Sequence, residues 1–78
     1  MIGKIKMTIT EGVQDSGWGN VVRVFFDNDY SYGHFVPQGV VESFVGDIQE
    51  QQTFYVTKEQ ANVMIEQGQT YGEKRYFK

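Results

Sequence analysis

The sequence predicts a small α+β domain: a three- to five-stranded, mainly antiparallel sheet, β-meander first, with one or two short helices packed on it. Three observations carry this expectation. Ala and Leu together supply one of 78 residues, against 32 from Val, Ile, Phe, Tyr, Trp and Thr, a composition that suits a pleated surface. Apolar and polar residues alternate along the N-terminal half. One segment, Thr57-Lys58-Glu59-Gln60, has the spacing of a helix-capping box. A chain of this length is one domain, residues 1–78.

The elements follow in order. Ile5, Met7 and Ile9 alternate with Lys4, Lys6, Thr8 and Thr10, which predicts a strand over residues 2–10 with one wet face. Residues 14–20 are turn formers interrupted by Trp18, and Val21 to Phe26 reads as a second, more deeply buried strand. Asp27-Asn28-Asp29 offers a tight reversal. A third strand then runs through Tyr30, Tyr32, His34 and Val36 and stops at Pro37, completing an antiparallel meander. Val40, Val41, Phe44, Val45 and Ile48 form one helical stripe, interrupted by Gly46. The capping box opens a helix over residues 57–67, whose apolar face is Ala61, Met64 and Ile65. Gly68 is placed to end it in the left-handed conformation. Phe54–Val56 and Tyr71–Phe77 are further strand candidates, and residues 49–52 read as a polar surface turn.

Composition limits the chemistry. Without Cys there is no disulfide framework, and a single His with no thiol cannot build a structural zinc site, so packing alone must hold the fold. A core this small supplies only about 3–5 kcal/mol, which makes a homodimer an expectation. No apolar run approaches the roughly 18–20 residues that cross a bilayer, and Met1-Ile2-Gly3-Lys4 does not begin a signal peptide; the expected location is cytoplasmic. No cofactor is called for.

Charge is distributed unevenly. Residues 24–57 hold Asp27, Asp29, Glu42, Asp47 and Glu50 with no Lys or Arg, whereas each flank is positive by one, giving a net −3. The simpler reading is a solvated face that keeps a small protein soluble. The sharper one is a surface that docks on a basic protein or imitates phosphate spacing.

Motifs of catalysis are wanting. Asp27, Asp29, Ser31 and Gly33 begin like a calcium loop, but Tyr32 stands where the loop glycine belongs and Gln38 where the bidentate Glu belongs. Ser31 and His34 point to opposite faces of a strand, so they do not make a hydrolase pair with Asp29, and His34 reads as a half-buried or rim histidine. Trp18, between Gly17 and Gly19, is either an interface anchor or a lid on the core; Tyr30, Tyr32 and Tyr55 lie near strand edges or turns, with Tyr30 and Tyr32 as further aromatic anchors. Ser16-Gly17-Trp18-Gly19-Asn20-Val21 and Tyr32-Gly33-His34-Phe35-Val36 each resemble a fragment of the aromatic-glycine motif of cold-shock and RNA-recognition domains. The first lacks the leading cation and has Asn for the second aromatic, and the second carries an inserted His, so neither assigns a family.

The sequence thus favours a non-enzymatic protein–protein interaction module with an acidic surface, an inhibitor of the anti-defence or host-takeover kind that phages and mobile elements encode. The alternative is a small OB-like protein that binds single-stranded nucleic acid with Trp18, Phe25 and the tyrosines beside Lys4, Lys6 and Arg23.

Overall fold

Alternating side chains on Lys4–Ile9 (β1) send Met7 and Ile9 into a fully buried core while Lys4 stays exposed, the division that a two-faced strand imposes. The computed structural model describes residues 4–17, 19–27, 33–70 and 72–78. Within them, Gln14–Asp15 (β2), Asn20–Phe26 (β3), His34–Pro37 (β4), Gln52–Thr57 (β5) and Gln69–Thr70 (β6) complete a six-stranded sheet. Its order is β5-β1-β3-β4-β6, with β2 paired to β3, and every pairing is antiparallel. The predicted meander is its centre, β1-β3-β4.

The strand β2 was not expected among turn formers, and the register explains it. Ile9 pairs Val24 and Gln14 pairs Val21, so the four residues 10–13 stand opposite only two of β3. The chain bulges there and rejoins the same edge of β3. Ser16 and Gly19 then close the turn, with the Ser16 N–H donating to the Gly19 carbonyl at 2.9 Å. Gly17 at φ 87° and Gly19 at φ 132° make that reversal possible.

Two helices, Gln38–Val45 (α1) and Lys58–Gln67 (α2), cover one face of the sheet. Val41 from α1 and Ala61, Met64 and Ile65 from α2 meet Val22, Val24, Val36 and Val56 from the strands, all essentially inaccessible to solvent. The capping box forms as its spacing predicts: the Gln60 N–H donates to Thr57 Oγ1 at 3.0 Å and the Thr57 N–H to Gln60 Oε1 at 3.0 Å. Among the described residues no helix is long and apolar enough to cross a membrane.

Three local expectations need correction. The first helical stripe stops at Val45, because Gly46 turns to φ 81°; Ile48 lies beyond the helix yet still packs on the core. Gly68 is extended, at φ −92° and ψ 178°, not left-handed, since the chain runs straight from α2 into β6. The glycine is needed there for close approach: a Cβ would lie 2.9 Å from the carbonyl oxygens of both Met64 and Phe35. Among the described residues the C-terminal strand is Gln69–Thr70; Tyr71 lies outside them, and residues 73–78 run along α2 instead.

Candidate binding groove and the helix-free sheet face

Strand alternation places Lys4, Lys6 and Thr8 of β1 on the face away from the helices, and register adds their neighbours. Lys6 pairs Tyr55, Thr8 pairs Phe25 and Arg23 pairs Phe35, so three cations and three aromatics share this face. Among the described strand residues it carries no carboxylate. Arg23 lies across two rings, its guanidinium carbon 5.0 Å from the Phe25 centroid and 5.5 Å from that of Phe35. The face is partly filled by the chain itself. Phe25 is only 4% exposed, Gly33 packs against it and Arg23, and among the described residues both Thr8 Oγ1 and Arg23 Nε are buried without a hydrogen-bond partner. Tyr55, by contrast, is half exposed.

At one end of this face lies a groove of about 460 Å³. Its apolar part is Val21, Phe35 and Pro37. Ser16, Asn20, Gln67 and Gln69 supply the polar part. The β2–β3 turn forms one wall and the joint between α2 and β6 the other. Gly68 makes that joint, because its lack of a side chain lets the end of α2 settle against β4 and brings Gln67 and Gln69 to the groove. The Ser16 hydroxyl is engaged, donating to the Gly19 carbonyl at 2.8 Å, and Asp15 Oδ1 accepts from the Gly17 N–H at 2.9 Å. No lining side chain carries a charge.

A second, smaller cavity of about 210 Å³ adjoins His34. His34 is 4% exposed, deeper than the half-buried or rim position its sequence suggested. It lies on the helix-covered face of β4, where its Nδ1 is hydrogen-bonded to Thr70 Oγ1 at 2.7 Å and its ring is tilted on Phe26. Ser31 and Asp29, which the hydrolase and calcium readings required, are outside the described residues. Among the described residues no three His, Asp or Glu side chains gather as a metal site would need.

Two members of the acidic block, Asp27 and Glu50, lie apart. Asp27 sits at the end of β3, its N–H donating to the Lys6 carbonyl at 2.7 Å, whereas Glu50 lies against Gly12 beyond the other end of β1. At about 3.3 Å per strand residue this separation is on the order of 15 Å. Glu42 is exposed on α1, where Gln38 Nε2 donates to it, and Asp47 is exposed just past that helix. Asp29 and the aromatic anchors Trp18, Tyr30 and Tyr32 lie outside the described residues. The groove escaped sequence reasoning, whereas Tyr55 was among the aromatics singled out near strand edges and Phe35 lay within the second aromatic-glycine fragment.

Neither a family model, nor a curated protein, nor a solved structure matches this chain.

Proposed function

We propose that this protein is a non-enzymatic interaction module that seats part of a protein partner in the groove between the β2–β3 turn, β4 and the α2–β6 joint. The lining carries the reading: an apolar floor bordered by uncharged hydroxyl and amide groups is the make-up of a docking site. The groove opens at the end of the sheet where β3 begins, the end that also carries Glu11 and Glu50. Carboxylates so placed steer a basic partner. Such a module acts by occupancy, as an inhibitor does.

The test is a photo-cross-linking residue at Gln69, compared with the same residue at exposed Glu59 on α2, in a bacterial lysate. A discrete adduct from position 69 that disappears on Phe35→Ala supports the groove. Equal adducts from both positions, or an adduct that survives Phe35→Ala, would overturn it.

One observation favours the nucleic-acid alternative: Lys4, Lys6 and Arg23 share the helix-free face with Phe35 and Tyr55, the pairing of cations and stacking rings that single strands use. Labelled oligonucleotide at low salt separates the two readings. Tight binding that falls steeply with salt establishes the alternative, and no binding at high micromolar protein removes it.

A further inference from the structure

The edge of β5 is unguarded, and its chemistry is self-complementary. β5 is six residues long and has β1 as its only strand partner among the described residues. Edge strands are ordinarily blunted by Lys, Pro, a bulge or brevity. Gln52-Thr53-Phe54-Tyr55-Val56-Thr57 has none of these. The opposite edge, β6, is two residues long and needs no such protection.

Backbone direction identifies the groups left over. The Lys6 carbonyl accepts from the Asp27 N–H, so the backbone of Lys6 faces β3. By antiparallel alternation Ile5, Met7 and Ile9 face β5, and their partners Val56, Phe54 and Gln52 are satisfied. Thr53, Tyr55 and Thr57 therefore point their N–H and C=O groups outward. The Thr57 N–H is already taken by Gln60 Oε1 in the capping box. Thr53 and Tyr55 offer both groups to an added strand.

We propose that the occupant of this edge is a second copy of the chain, paired β5 to β5 antiparallel about a two-fold axis with Phe54 opposite Phe54. In that register Thr53 of each copy stands opposite Tyr55 of the other, and each such pair exchanges both N–H···O bonds. The alternative register, centred on Tyr55, sets Thr53 against Thr57, whose N–H is engaged. Charge selects the same arrangement. The Phe54-centred register brings the Glu50 end of one strand to the Lys58 end of the other, twice. Asp47 and Glu11 stand near the first end, and Lys4, paired with Thr57, beside the second. Lys58 Nζ donates to the Lys78 carbonyl and has two further donors for the incoming carboxylate. This pairing would extend two sheets into one and is independent of the groove.

Light scattering across concentration tests it. The expected mass at high micromolar protein is twice 9.0 kDa, and the mass of one chain at every concentration would overturn the proposal. Thr53→Pro removes an outward N–H that the monomer does not use, so a folded, monomeric variant is expected by circular dichroism and scattering. A folded Thr53→Pro that still dimerises shows that another surface is used. A charge swap keeps the test decisive should that variant fail to fold. Glu50→Lys and Lys58→Glu should each weaken the dimer about tenfold, because attraction becomes repulsion at two symmetric sites, and the double variant should restore it. A double variant no tighter than the singles contradicts the register.

Discussion

The side-chain amide of Asn62 and the backbone of Phe77 form a closed pair of hydrogen bonds: Asn62 Nδ2 donates to the Phe77 carbonyl at 2.8 Å, and the Phe77 N–H donates to Asn62 Oδ1 at 2.7 Å. One side chain on α2 thus does for the C-terminal segment what a neighbouring strand would do. With the backbone so held, the Phe77 ring meets Phe26 edge-on at 5.7 Å and packs against the core.

Asn62→Ala removes both bonds and loosens Phe77. A loss of about 1–3 kcal/mol of stability is expected, the cost of leaving part-buried backbone groups unpaired. Urea unfolding monitored by circular dichroism measures it; a midpoint unchanged from the parent would show that residues 73–78 contribute nothing.

The same contact explains what could and could not be read from sequence. Strand existence was legible because a two-residue period is written into Ile5, Met7 and Ile9, and α2 because its cap is local to residues 57–60. The fate of residues 73–78 was not legible: Tyr76 and Phe77 carry a strand's composition, but their partners, Glu66 and Asn62, lie more than two helical turns earlier in the chain. The groove was hidden for a similar reason. Its walls come from four elements, and the residue that joins two of them, Gly68, reads as an ordinary helix stop.

Thr57→Ala tests the cap. It deletes the oxygen that accepts from the Gln60 N–H, and about 0.5–2 kcal/mol should be lost. Thr57→Ser retains that oxygen and should recover most of the loss in the same denaturant titration.

Gly68→Ala is expected to be worse than its size suggests. The added methyl would meet two carbonyl oxygens at 2.9 Å, and both belong to backbone that cannot swing aside. Overpacking of this kind costs about 1–3 kcal/mol. Gly33→Ala provides the contrast: its methyl would meet Arg23 Nε at 2.7 Å and the Phe25 ring at 3.1 Å, side-chain atoms and not backbone. A thermal midpoint lowered more by Gly33→Ala than by Gly68→Ala would contradict this account.

Tyr76 gives a pH signature. Its hydroxyl donates to the Glu66 carboxylate, and that bond, with smaller contributions from desolvation and the carboxylate's charge, raises its pKa above the ordinary tyrosine value of 10.0. A raised pKa means that the contact is intact below pH 10 and is lost as pH rises through the folded-state value. Absorbance titration should show a late-ionising tyrosine that Tyr76→Phe removes and Glu66→Gln shifts downward. A titration curve unaffected by Glu66→Gln would rule the contact out in solution.

Arg23 separates a packing role from a binding role. Its stem and guanidinium lie against Phe25 and Phe35, yet among the described residues its Nε is buried without a partner, so the charge carries a desolvation cost. Arg23→Met keeps the length and apolar contact of the side chain and removes the unpaired nitrogen; stability should be equal to the parent or higher. Arg23→Ala removes the packing too and should cost about 1–2 kcal/mol. Stability of Arg23→Met two kcal/mol or more below the parent, on the order of the loss of a buried pair, would mean that the guanidinium is held by something stronger than two rings. Because Arg23→Met leaves the fold in place, it is also the variant with which to read function. If the helix-free face binds single strands, this substitution should weaken oligonucleotide binding and reduce its salt dependence by about one phosphate contact. If a protein partner sits in the groove beside Phe35, cross-linking from Gln69 should persist in the same variant.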